Sequence, residues 1–258
     1  MVRVPDPPEA LAIARGAAAA AVTLLQGARG HITQVREKTT VHDLVTEWDT
    51  RAEATIIAEL ARACPGVPVL AEEGGGNAPA GGARWVVDPI DGTINFIHGV
   101  PFYGVSIALE VAGEPVAGVV AAPALGWEFA AAKTLGATLN GEPLAVSGTT
   151  ELARALLASG FPYHRARSEQ NFAEWAEMLR RAGACRRFGA ASLDLCMVAA
   201  GWLDGYWEYD LKAWDMAAGI ICIREAGGRV TQVLPNGPTV ASNGAIHEEL
   251  VHALSLAR

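Results

Sequence analysis

Apolar positions recur at helical spacing from Pro8 to Gln26, in an alanine-rich run that Gly27 ends. A second helix is expected after Thr50, with Ala52, Ile56, Leu60 and Ala63 on one side. Thr50 and Glu53 have the T-x-x-E spacing of a capping box, and Pro65-Gly66 stops the run. Two short apolar stretches follow, Val67–Ala71 and Arg84–Val87. The first runs into Glu72 and Glu73, the second into Asp88. Three strand-like runs come next, Tyr103–Glu110, Glu114–Ala122 and Trp127–Lys133, with Asn140-Gly141 as a hairpin turn. They predict an antiparallel meander.

After about Ser147 the texture changes to alternating strand and helix. Strands are expected at Ala155–Ser159, Tyr206–Tyr209, Val230–Val233 and Val240–Ser242. Helices are expected at Glu169–Arg181, Leu193–Ala200, Ala213–Glu225 and Ile246–Leu256. The order predicts a layered sandwich of two tightly joined parts. One is an antiparallel-rich α+β half over residues 1–146, the other an α/β half over 147–258.

Composition narrows the function. With 51% hydrophobic and 19% charged residues, the chain buries a core and is not disordered. A net charge of −8 argues against direct nucleic-acid binding. An acidic protein that handles an anionic substrate needs a local cation source, commonly a metal ion. Cys64, Cys185, Cys196 and Cys222 form no CxxC pair, which suits reduced thiols in the cytoplasm. Arg15 and Gly16 break the first apolar run, so neither a signal peptide nor a membrane span is expected there.

The segment WVVDPIDGTINF, Trp85–Phe96, carries the most chemistry. A strand delivers Asp88, Pro89 discourages further ladder pairing, and a turn can bring Asp91 to the same point. The Ile90 carbonyl lies between them. Gly92 permits a tight turn, and Thr93 can cap a short helix whose N–H groups face an anion. Asp88 and Asp91 could also make simple Asx turns, and Asp215 a helix N-cap. Convergent carboxylates would repel by about 4 kcal/mol per close pair at an effective dielectric of 20, a cost divalent cations offset.

Five further segments complete a pattern: DLVTEWD at Asp43–Asp49, AEE at Ala71–Glu73, GVPFYGVSIAL at Gly99–Leu109, WDMAAG at Trp214–Gly219 and EAGGRVT at Glu225–Thr231. In this order, over about residues 38–231, they resemble the inositol monophosphatase family. The resemblance implies magnesium-dependent, lithium-sensitive phosphatases with a layered αβαβα fold of the sugar-phosphatase type, acting as homodimers. It implies that Glu72, Asp88 and the Ile90 carbonyl hold a first Mg2+, and Asp88, Asp91 and Asp215 a second. A weaker third ion would lean on Glu72, with Lys38 nearby. Asp49 and Thr93, with Glu72, would prepare the attacking water.

On the substrate side the resemblance points to Asp91, Gly92, Thr93, Gly189, Ala190, Ala191, Glu208 and Asp215. Ala190 stands where the family commonly has Ser or Thr, with Ser192 two residues later; Trp48 replaces a small residue. Arg186 or Arg187 could pair with acids of the second half. The expected substrate is a small sugar or polyol phosphate, first myo-inositol 1-phosphate. Histidinol phosphate, fructose 1,6-bisphosphate and nucleotide phosphates remain alternatives, as does a non-catalytic regulatory binding role. His98 could face the cleft, but no zinc-spaced His/Cys set accompanies it. The run Gly74–Gly82 reads as a surface connection and not a phosphate loop, because no GK[ST] follows. Trp175 and Met178 read as helix packing.

Overall fold

The computed structural model describes residues 3–28, 32–74, 78, 81–163, 168–232 and 237–257. The expected connection at 74–82 and the end of the strand at Val233 therefore lie partly outside the described residues.

The N-terminal part runs α1 (Pro7–Gln26), β1 (Val35–Glu37), β2 (Leu44–Thr46), α2 (Glu47–Ala63), β3 (Val69–Ala71), β4 (Ala83–Asp91) and α3 (Thr93–Ile97). The meander follows as β5 (Gly104–Val111), β6 (Glu114–Ala122), β7 (Trp127–Ala132), β8 (Gly136–Leu139) and β9 (Glu142–Pro143). The second part holds β10 (Leu156–Ser159), α4 (Glu169–Arg181), β11 (Ala184–Arg186), α5 (Ala191–Ala199) and β12 (Gly205–Glu208). It continues with α6 (Ala213–Glu225), β13 (Arg229–Gln232), β14 (Thr239–Ser242) and α7 (His247–Leu256).

β3 to β9 form a seven-stranded sheet in sequence order, parallel only between β3 and β4. The second sheet is ordered β11-β10-β12-β14-β13, with parallel pairs flanking β10. Helices α1 and α2 cover one face of the large sheet, and α5 and α6 the other. The smaller sheet packs on the far side of α5 and α6, and α4 and α7 close its outer face. The layers thus read αβαβα. Covered on both faces, the central strands are apolar almost throughout: in β5 and β6 buried residues stand next to one another with no alternation.

α1 differs from the sequence reading in one respect. By length and composition it is apolar enough to cross a membrane. In the fold it is a one-faced covering helix: Ala10, Ala14, Ala17, Ala18, Ala21 and Leu25 are buried against α2 and β6, while its other face is exposed. Asp6 caps it by accepting from Glu9 N at 3.0 Å.

The second helix also starts elsewhere. It begins at Glu47, one turn before the expected Thr50, and its capping box is Thr46 with Asp49. Trp48 N donates to Thr46 Oγ1 at 3.1 Å, and Thr46 N to Asp49 Oδ2 at 2.8 Å. Glu53 is therefore not a capping residue. Its Oε2 accepts from Glu73 N at 2.7 Å and anchors the turn after β3. Expected Glu114–Ala122, Glu169–Arg181 and Ala213–Glu225 match β6, α4 and α6 throughout, and most other expected elements end within a residue or two of their observed bounds; Arg84–Val87 stops four residues short of the end of β4. β1, β2 and β11, three residues each, were not expected; runs so short carry no readable period.

Candidate active site

The expected carboxylates meet. Glu72, Asp88, Asp91 and Asp215 line one cavity of about 310 Å³, together with Lys38, Ile90, Gly92 and Thr93. A second lobe of about 370 Å³ shares Asp91 and Asp215 with it and extends to Gly189, Ala191, Arg187 and Glu208. Ala190 lines neither lobe. It is buried, and a Cβ on Gly92 would lie 3.1 Å from its own Cβ.

β4 is the main carrier. Its pairing with β5 runs through Asp88↔Ser106, lapses at Pro89 and Ile90, and resumes at Asp91↔Gly104. The break at Pro89 is as expected, but the strand continues past it. Gly92 then takes a left-handed φ of 88° and is the N-cap of α3, so Thr93 is its first helical residue and not its cap. Thr93 Oγ1 instead lies 2.9 Å from Ile90 O and 3.1 Å from Asp49 Oδ1. The Ile90 carbonyl is thus already an acceptor, with a second lone pair remaining. A threonine hydroxyl has one proton, and here two acceptors lie within its reach.

Each acid is oriented from its own direction. Asp88 Oδ1 accepts from Ile90 N at 3.0 Å. Asp91 accepts from Ala191 N at 3.2 Å and from Ser192 N at 2.7 Å, both at the start of α5, and the Ser192 hydroxyl adds a third bond. Asp215 is not the N-cap of α6. It is the third helical residue, and its Oδ2 accepts from Lys212 N at 2.6 Å. Lys38, on the turn between β1 and β2, donates to Glu72 Oε1 at 2.9 Å and to Glu73.

These positions are electrostatically costly. Burial raises Asp88 well above the usual carboxylate range, and the charges of Glu72, Asp91 and Asp215 raise it further. Asp91 is pushed up to about 6 by burial, against the lowering pull of the Ser192 bonds. Asp215 is raised by burial and then by Asp91 and Glu72. Burial lifts Glu73 to about 7. At Lys38, burial acts downward and is outweighed by Glu72 and Glu73, which hold the ammonium charged. Among the described residues no three His, Cys, Asp or Glu side chains close into a ready coordination shell. The carboxylate oxygens are instead turned toward Lys38, Ser192 and the Lys212 backbone. The donor set is nevertheless all oxygen, largely anionic and buried, which suits a hard divalent cation.

The structure separates other residues from the site. His98 faces a different cavity of about 350 Å³, with Phe96 and Tyr103. Trp48 is core, with the Arg51 guanidinium 4.1 Å from its ring centroid. Arg186 donates to the Cys185 carbonyl, while Arg187 lines the distal lobe. Trp175 and Met178 pack as expected, Trp175 against Phe161 and Trp207.

Three contributors were missed. Ser192 grips Asp91, Thr46 orients Asp49, and Asp210 lines both lobes at a left-handed φ of 61°. The signal for Ser192 was its hydroxyl at the start of an expected helix. Asp210 carries none that a single sequence shows.

The layered sandwich thus brings acids from β4, from α6 and from the turn after β3, with a hydroxyl from α3, to one cavity. The inositol monophosphatase family matches residues 6–257. An inositol-1-monophosphatase of Synechocystis is 44% identical over 234 residues, covering 88% of this chain and 82% of the relative. A Nus factor SuhB of Pseudomonas aeruginosa is 44% identical over 225 residues, covering 82% of each. The crystal structure of the extragenic suppressor protein suhB of Bartonella henselae superposes with a TM-score of 0.88 at 38% identity, covering 94% of this chain and 97% of that one. The chain belongs to the inositol monophosphatase family and is a phosphatase.

Proposed function

We propose that this phosphatase hydrolyses a small sugar or polyol phosphate monoester, with myo-inositol 1-phosphate the first choice, and that it uses magnesium. The observation that carries the reading is the gathering of mutually repelling Asp88, Asp91 and Asp215, the first two buried, with Glu72 in one cavity, next to the Thr93–Asp49 pair. Glu72, Asp88 and the Ile90 carbonyl would hold one ion; Asp88, Asp91 and Asp215 would hold another. A third, weaker ion would sit by Glu72 near Lys38. Bound divalent cations would neutralise phosphate oxygens, acidify water and stabilise the leaving alkoxide.

The chain's own groups supply the rest. Thr93 and Asp49 accept the proton of the attacking water, and the bond between them fixes the direction of that transfer. Lys38 keeps the charge of Glu72 and Glu73 in check. Gly189 and Ala191 offer backbone, and Glu208 a carboxylate, to substrate hydroxyls in the distal lobe. In this reading water, and not a side chain, attacks the phosphorus, and no phosphoenzyme is expected.

A phosphate-release panel with and without magnesium tests this. Release from inositol 1-phosphate that stops on chelation is expected. A strong preference for histidinol phosphate, fructose 1,6-bisphosphate or a nucleotide moves the substrate elsewhere in the family. Magnesium-independent release from every monoester overturns the metal roles. The relative named Nus factor supports a second reading, a regulatory partner role. Association with a macromolecular complex that survives chelation would favour it. A homodimer in a reducing cytoplasm suits the family resemblance and the four free cysteines; light scattering measures the first.

A further inference from the structure

Gly160 follows β10 and lines the distal lobe beside Glu208. Its backbone does not require glycine, since its φ lies outside the left-handed region that Gly92 and Gly189 occupy. Space does. A Cβ at this position would lie 2.0 Å from Glu208 Oε2 and 2.1 Å from both Oε1 and Cδ. The three nearest heavy atoms all belong to one carboxylate, which rests against the bare α-carbon.

Both partners are held in place. The Tyr206 hydroxyl, fully buried, bonds to Glu208 Oε2. The Gly160 carbonyl accepts from Asn171 Nδ2 and, at 3.2 Å, from Ser159 Oγ. Asn171 Oδ1 in turn accepts from Trp207 Nε1 at 2.9 Å, and Ser159 pairs with Trp207 across β10 and β12. Asn171 and Trp207 are both fully buried. The lock therefore joins the residue before Glu208 to the glycine that makes room for it. The carboxylate thus sits at the edge of the lobe, held by the Tyr206 hydroxyl and resting against the Gly160 α-carbon.

We propose that Gly160 is a positioning residue for substrate selection: its missing side chain seats the Glu208 carboxylate where it accepts the hydroxyls of a polyol phosphate. This rests on the reading of Glu208 given above. Gly160→Ala pushes the carboxylate out of its seat without forbidding the backbone. It acts through Glu208 and not on the phosphate end of the site.

The experiment compares inositol 1-phosphate with 4-nitrophenyl phosphate, which has no hydroxyl to read. In Gly160→Ala the ratio of their kcat/KM values falls about tenfold or more, mainly through KM for the polyol ester. In a Glu208→Ala background the same substitution leaves that ratio unchanged. An equal loss on both esters, or a full effect of Gly160→Ala without Glu208, overturns the proposal. If Gly160→Ala does not fold, the Gly160→Ala, Glu208→Ala double variant decides. It must fold and match Glu208→Ala; if it also fails, the conflict is not with the carboxylate and the proposal falls. A Glu208→Ala variant with an unchanged ratio refutes the role of Glu208 itself, a distinct result. An unmodified enzyme inactive on both esters refutes the phosphatase reading of this cavity.

Discussion

Thr46 Oγ1 lies 2.6 Å from Asp49 Oδ2, and the bond leaves Asp49 Oδ1 facing Thr93 at 3.1 Å. One helix cap thus aims the carboxylate proposed to take the proton. Thr46→Val is expected to cost about 1 kcal/mol of stability through the lost cap. It should also lower kcat by at least about tenfold, because Asp49 Oδ2 then keeps only its bond from Thr46 N. Thr46→Ser should keep both. Urea unfolding and steady-state kinetics on the two variants separate cap from catalysis.

Asp91 is buried among like charges, so neutralising it relieves repulsion. Asp91→Asn should leave the urea midpoint, measured in chelator, unchanged or higher. Activity should fall by about a thousandfold or more, as an anionic donor is lost. Near-wild-type turnover would remove Asp91 from the ligand set.

Ser192 is fully buried, lines neither lobe and donates twice to Asp91. Removing its hydroxyl leaves Asp91 Oδ2 held by the Ser192 N–H alone. Ser192→Ala should raise the magnesium concentration for half-activation by about tenfold, with saturated kcat little changed. Unaltered magnesium dependence would show that the backbone bond alone suffices.

Glu47 accepts from Thr33 N, Thr33 Oγ1 and Gln34 N at 2.8, 2.8 and 3.0 Å, pinning the lead-in to β1 on the first turn of α2. Burial, the largest influence on its pKa, acts upward, and the hydrogen bonds from Thr33 and Gln34 outweigh it, lowering the pKa from 4.5 to about 2. The folded pKa is below the unfolded one, so this contribution to stability is complete above about pH 4.5. It fades as the pH falls toward 2. The stability difference between wild type and Glu47→Gln should therefore be constant near pH 7 and shrink between pH 4.5 and 2. Denaturant titrations across that range measure it.

Gly118 on β6 faces α6 so closely that a Cβ would lie 2.8 Å from the Ala218 α-carbon. The neighbour is backbone and cannot step aside. Gly118→Ala should cost about 1–3 kcal/mol by forcing helix and sheet apart. The cavity lies at the strand ends, so kcat per folded molecule should hold. Thermal unfolding and active-site titration check the two halves of that statement.

The hydrophobic period revealed α6 and the meander because these elements are long and bury a continuous face. It placed α2 one turn late because Thr50-x-x-Glu53 mimics the cap that Thr46 and Asp49 make. Glu72 and Asp88 were legible because each ends an apolar run, and the order of all four acids matched a family. Their supports were not. Ser192 lies 101 residues from Asp91 and Asn171 lies 36 from Trp207, and only the tertiary fold joins such pairs. The slot at Gly160 is likewise invisible in sequence, where glycine suggests a turn and not a missing methyl.

Asp91 is a strand residue of the large sheet, yet its clasp belongs to α5, between the two sheets. Catalysis and cohesion share one rivet. Prising the sheets apart would break this clasp, so Asp91 keeps its partners only while the two sheets stay together. Traffic of ester and alcohol must pass through the mouth of the cleft. New specificities can therefore be engineered by recutting its outer wall while the rivet stays untouched.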